Sequence, residues 1–91
     1  MPRTQKTPEE KEYLTKFGER LKYARTRRTF NFEPMSRKQL SEISGISEWS
    51  IRNYEKGIMA MGIFTLRKLI KALRIDIKFL LYGEKKRNNG Y

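Results

Sequence analysis

The chain contains neither cysteine nor histidine. The first absence excludes disulfides and thiolate metal sites. The second removes the usual general base and the commonest metal ligand. Acidic residues are scarce, with 10 Asp and Glu against 21 Lys and Arg, a formal charge of +11. They form no cluster that suggests a carboxylate metal site. No catalytic constellation appears, so an enzyme is not expected, and neither is a metal or a cofactor. No apolar run is long enough to span a bilayer. The opening stretch MPRTQKTPEEKEYLTKF lacks the apolar core of a signal peptide. The expectation is a cytoplasmic protein of one domain, with a core near the lower limit for independent folding. The positive excess suits a polyanionic partner or a membrane surface, and is otherwise only a solubilising charge.

What the chain does have is a succession of helix signals without a strand signal. Residues 1–7 read as a flexible basic arm. Thr7, Pro8 and Glu10 then form a capping-box start. Leu14, Phe17, Leu21 and Ala24, with Tyr13 beside them, mark one stripe of a first helix over residues 8–28. Pro34 disfavours helix at Glu33, so RTFNFEPM is a loop. Its Phe30, Phe32 and Met35 are expected to fold back onto the core, with an exposed partner-binding patch as the alternative. Ser36 and Gln39 repeat the capping-box pattern, and Leu40 and Ile43 are expected to face inward. Gly45 ends that helix with positive φ, Ile46 fills the turn, and Ser47 caps a third helix running to Lys56 and Gly57. Leu66, Leu69, Ile70 and Leu73 mark a fourth helix. Asp76 caps a short fifth helix carrying Ile77, Leu80 and Leu81, closed by Gly83. Residues 84–91 are a polar tail. The fold class is all-α, five short-linked helices over residues 8–83.

The third helix is divided in character. At 100° per residue, Glu48, Trp49, Arg52, Asn53 and Lys56 share one side, and Ser50, Ile51 and Tyr54 the other. The outer side carries groups able to read base edges. Arg52 can donate two hydrogen bonds to guanine. Asn53 can pair with adenine or hold a phosphate, and Glu48 can accept from the cytosine amine. Trp49 can cover thymine methyls or pack against the neighbouring loop. Ser47 caps the helix and leaves its start open to a phosphate. Lys38 is a candidate contact to the DNA backbone, and Lys56 is a backbone clamp or an ordinary surface charge. A capped helix, a glycine turn, a second capped helix and a terminal glycine together make a helix-turn-helix over residues 36–57.

FGERLKYAR, SRKQLSEISGISEWSIRNYEKG, TLRKLIKAL and DIKFLLYG, spanning residues 17–83, resemble the Cro/CI-type (Xre-like) helix-turn-helix family. The resemblance implies a compact five-helix lambda-repressor-like domain whose third helix enters the major groove. It implies an ion pair between Arg25 and Glu55, and DNA contacts at Arg37, Glu48, Trp49, Ser50 and Asn53. Arg37 stands where the family usually has a glutamine on phosphate. Two departures stand out. The segment between Arg25 and Ser36 is about five residues longer than the family pattern, and either approaches the DNA backbone through Arg27 and Arg28 or serves a protein contact. IMAMG replaces a more polar loop. Ile58, Met59 and Met61 then either form a dimer interface or pack inward. Phe79, Leu81 and Tyr82 are further dimer candidates, Leu81 with a core alternative.

The expected function is a sequence-specific double-stranded DNA-binding transcriptional regulator, a repressor acting as a homodimer on a palindromic operator and nucleoid-associated through DNA. Two rivals stay open: an antitoxin-type module with a protein partner that also binds its own operator, and a structure-selective nucleic-acid-binding protein. The second lacks a stacking platform.

Overall fold

The computed structural model describes residues 6–30 and 32–83. Residues 1–5 of the expected arm and the whole 84–91 tail lie outside that range. Among the described residues the order is α1 (Pro8–Arg27), β1 (Thr29–Phe30), β2 (Glu33–Pro34), α2 (Arg37–Ser44), α3 (Glu48–Glu55), α4 (Ile63–Leu73) and α5 (Ile77–Tyr82). The all-α class holds, and the helix boundaries follow the local chemistry. Thr7 accepts from the Glu10 amide while Glu10 accepts from the Thr7 amide. Ser36 and Gln39 repeat that exchange at α2. Asp76 accepts from the Lys78 amide at α5. Gly45, Gly57 and Gly83 all take positive φ behind α2, α3 and α5, where a side chain on Cβ would crowd the backbone.

The 29–35 segment corrects the expectation of no strand. β1 and β2 pair antiparallel, Thr29 with Pro34 and Phe30 with Glu33. Pro34 drives Glu33 into the extended region, and Thr and Phe favour a pleated backbone. Two residue pairs are too few to leave a periodic signal in the sequence. Met35 goes into the core as expected, fully buried. Phe32 does not: it sits at φ 69 and is fully exposed. The Phe30 side chain lies outside the described residues. Ile43 is a second correction, since it is 47% exposed. The left-handed turn at Gly45 brings Ile46 into the core instead, leaving Leu40 as the one deeply buried anchor of α2.

The core joins Phe17, Leu21 and Ala24 of α1 to Met35, Leu40, Ile46, Ile51, Tyr54, Leu69, Leu73 and Leu80. Helix α1 is its spine and holds two partners on different sides. Toward α5, Tyr13 donates to the Leu81 carbonyl at 2.8 Å, and Arg20 donates to those of Leu80 and Leu81 at 2.9 and 3.0 Å. A cation is thereby placed on the carbonyls that a helix end leaves unpaired. Toward α3, Gly18 permits direct contact with backbone. A Cβ there would lie 2.4 Å from the Glu55 carbonyl oxygen and 2.5 Å from that of Tyr54.

In an open helix, Gly→Ala gains up to about 1 kcal/mol of helix propensity. Here the clash is with main-chain atoms that cannot rotate away, so the sign reverses. Gly18→Ala is expected to destabilise by about 1–3 kcal/mol, read as a lower urea midpoint; an unchanged or higher midpoint would contradict the close approach.

Candidate nucleic-acid interface

Helix α3 is only eight residues long, too short to persist alone. Its inner side is fixed by Ile51 and Tyr54, both in the core. Its start is fixed by Ser47, whose Oγ accepts from the Ser50 amide at 3.1 Å and donates to the Ser50 Oγ at 2.9 Å. Opposite, Glu48, Trp49 and Lys56 are exposed, while Arg52 and Asn53 are half-buried, as is Ser50 on the inner side. Trp49 is 61% exposed. An indole this large and uncovered points away from the loop-packing alternative.

The inner end of α3 is charged. Glu55 accepts from Arg25 Nε at 2.6 Å and Nη2 at 3.0 Å, and from Arg37 Nε at 3.0 Å. Arg25 also donates through Nη1 to the Met35 carbonyl at 2.6 Å. The Glu55 and Arg25 side chains are nearly sealed from solvent, whereas that of Arg37 is 34% exposed. Two cations share one carboxylate, so the cluster keeps one net positive charge, with Arg37 as its solvent-facing member. Sequence reasoning assigned Arg37 to phosphate and missed its bond to Glu55, because residues 18 positions apart give no local signal of meeting. Lys38 and Ser47 are exposed at the starts of α2 and α3.

The proposed dimer residues separate into two groups. Met59, Met61 and Phe79 are partly buried and pack against the core, as does Leu81. Ile58 and Tyr82 are exposed, at 55% and 68%. Two exposed apolar residues were missed, Ile63 at 73% and Phe64 at 75%. Phe64 lies opposite the Leu66, Leu69, Ile70 and Leu73 stripe of α4, a signal that a wheel extended to the helix start would have given, whereas Ile63 lies on that stripe and is exposed as the first residue of the helix.

Removing the shared carboxylate strands two guanidiniums. Glu55→Gln is therefore expected to cost about 3–5 kcal/mol. Arg37→Gln, at a site a third open to water, is expected to cost no more than about 1 kcal/mol. Urea unfolding of the two variants checks the order; equal losses would contradict it.

The comparisons with known proteins agree with this geometry. A helix-turn-helix family model matches residues 35–80, about half of the chain. The fold is similar to the crystal structure of the restriction-modification controller protein C.AhdI from Aeromonas hydrophila. The identity is 30% and the TM-score 0.65, over 74% of this chain and 94% of that one. No curated protein matches the sequence significantly. With the two capped helices, the glycine turn and the outward face of α3 in place, the chain belongs to the Cro/CI-type (Xre-like) helix-turn-helix family of DNA-binding transcriptional regulators.

Proposed function

We propose that the protein is a repressor that binds a palindromic operator as a two-fold dimer, with one α3 in the major groove of each half-site. The observation that carries this reading is the pairing of a rigid inner side of α3 with an outer side that bears Glu48, Trp49, Arg52 and Asn53. Arg52 and Asn53 are half-buried, so each reaches a base edge with few rotamers to lose. Glu48 accepts from a cytosine amine, and Trp49 lies over thymine methyls. Arg37, Lys38, Ser47, Ser50 and Lys56 hold phosphates and set the register. Ile58, Ile63, Phe64 and Tyr82 are large apolar side chains left in water, and a second copy would cover them. The likeness to a restriction-modification controller protein supports a role as the controller of such a system, on DNA in the cytoplasm.

Selection from a random duplex pool tests this reading. A palindromic consensus is expected, with half-sites about one helical turn apart; affinity without sequence preference would overturn it. Arg52→Ala should relax preference at one base pair per half-site by about 1–3 kcal/mol. Lys56→Gln should weaken all sequences alike and lower the salt slope by about one. Sedimentation should give a dimer for the native chain and a monomer for Phe64→Ser; a native monomer on palindromic DNA would count against the interface.

A further inference from the structure

A groove of about 610 Å³, open along one side, lies where the end of α1 meets the α4–α5 junction. Its floor is apolar, with Ala24, Leu73 and Ile75, and its wall carries the tilted ring pair Tyr23 and Phe79, 5.9 Å apart. Three guanidiniums surround it. Arg27 lies 5.4 Å from the centre of the Tyr23 ring. Arg28 donates through Nη1 to the Leu73 carbonyl at 3.2 Å. Arg74 takes the left-handed conformation at φ 55 and ψ 47. None of the three is in an ion pair among the described residues. The one acidic side chain in the lining, Asp76, already accepts from the Lys78 amide.

The groove is set apart from α3. On α1, Tyr23, Ala24 and Arg27 share a stripe with Tyr13 and Arg20, which hold α5. Gly18 and Arg25, which hold α3, lie about 150° round the helix at 100° per residue. Arg74 carries a second sign of use. The left-handed region suits glycine, and a longer side chain there strains the backbone. The chain keeps a guanidinium at this position, in the wall of a groove already bearing two others.

We propose that this groove docks an acidic segment of a partner protein, with an apolar side chain seated on the Ala24–Leu73–Ile75 floor and its carboxylates on Arg27, Arg28 and Arg74. Charge complementarity selects the acidic character, and the open side admits a peptide passing over the groove rather than an enclosed small ligand. The regulator would then hold DNA through α3 and a protein through the opposite side of α1.

The probe is a labelled peptide with a central phenylalanine between two pairs of aspartates, titrated into the full chain at about 0.15 M salt. Fluorescence anisotropy is followed first without DNA and then with saturating selected duplex. Saturable binding is expected in both. Affinity should fall at least tenfold for Arg74→Gly, with melting temperature unchanged or raised because the strain is relieved, and with duplex affinity unchanged. Lys71→Gln, an equal loss of charge outside the groove, should leave peptide affinity within twofold. Replacing the phenylalanine by glycine should weaken binding at least fivefold. Equal losses in Arg74→Gly and Lys71→Gln would reduce the attraction to net charge and overturn the proposal. So would displacement of the peptide by duplex, a drop in duplex affinity for Arg74→Gly, or competition by adenosine monophosphate at lower concentration than the peptide. Peptide binding is read independently of the duplex, so an absent operator preference would sink the DNA reading without deciding this one.

Discussion

One buried carboxylate organises the DNA-binding half of this protein. Glu55 ends α3, and its two oxygens receive Arg25 from α1 and Arg37 from the first turn of α2. Through its other nitrogen Arg25 also holds the Met35 carbonyl, where the 29–35 segment turns into α2. Three helices and one loop thus converge on a single negative charge. Burying such a charge costs several kcal/mol unless its oxygens are fully used, and here both are. The arrangement has a directional quality that apolar packing lacks. Leu40 and Ile51 would tolerate small rotations of α2 and α3, whereas a bidentate guanidinium accepts only one relative setting of the helices.

The other half of the molecule is held by the same spine with different chemistry. Tyr13 and Arg20 bind the final carbonyls of α5, so a six-residue helix is fixed at its C-terminal end while Leu80 anchors it in the core. Helix α1 therefore presents polar ties on two stripes with an apolar stripe of Phe17 and Leu21 between them. This explains how so small a core orders five helices. Part of the apolar surface it leaves outside, at Ile58, Ile63, Phe64 and Tyr82, lies before α4, in its first turn and at the end of α5.

The helices were legible in the letters because four of the five starts carry their own side-chain cap, and α4 alone had to be read from its apolar stripe. Thr7, Ser36, Ser47 and Asp76 each accept the backbone hydrogen bond that their residue type and position imply. Failures came where local rules lose to tertiary competition. Ile43 has the right residue type for a core, but Ile46 reaches the interior across the glycine turn. Phe32 is aromatic, yet a two-pair ladder puts it at a tip with no neighbour to cover it. The division of α3 was readable from periodicity alone. The second guanidinium on Glu55 was not, since no spacing rule links Arg37 to a residue in another helix. The basic groove beside Tyr23 was equally silent, because it is assembled from α1 and the α4–α5 junction, far apart in sequence.

The contact at Gly18 has a consequence for how such a protein changes its target. Helix α1 meets the end of α3 at the carbonyl oxygens of Tyr54 and Glu55, atoms that every sequence possesses. The outward residues at 48, 49, 52 and 53 take no part in that seat. A new set of letters can therefore be written on the exposed side of α3 while its mounting stays the same. The scaffold works as a holder with a fixed socket, and the outward side of α3 is the replaceable part.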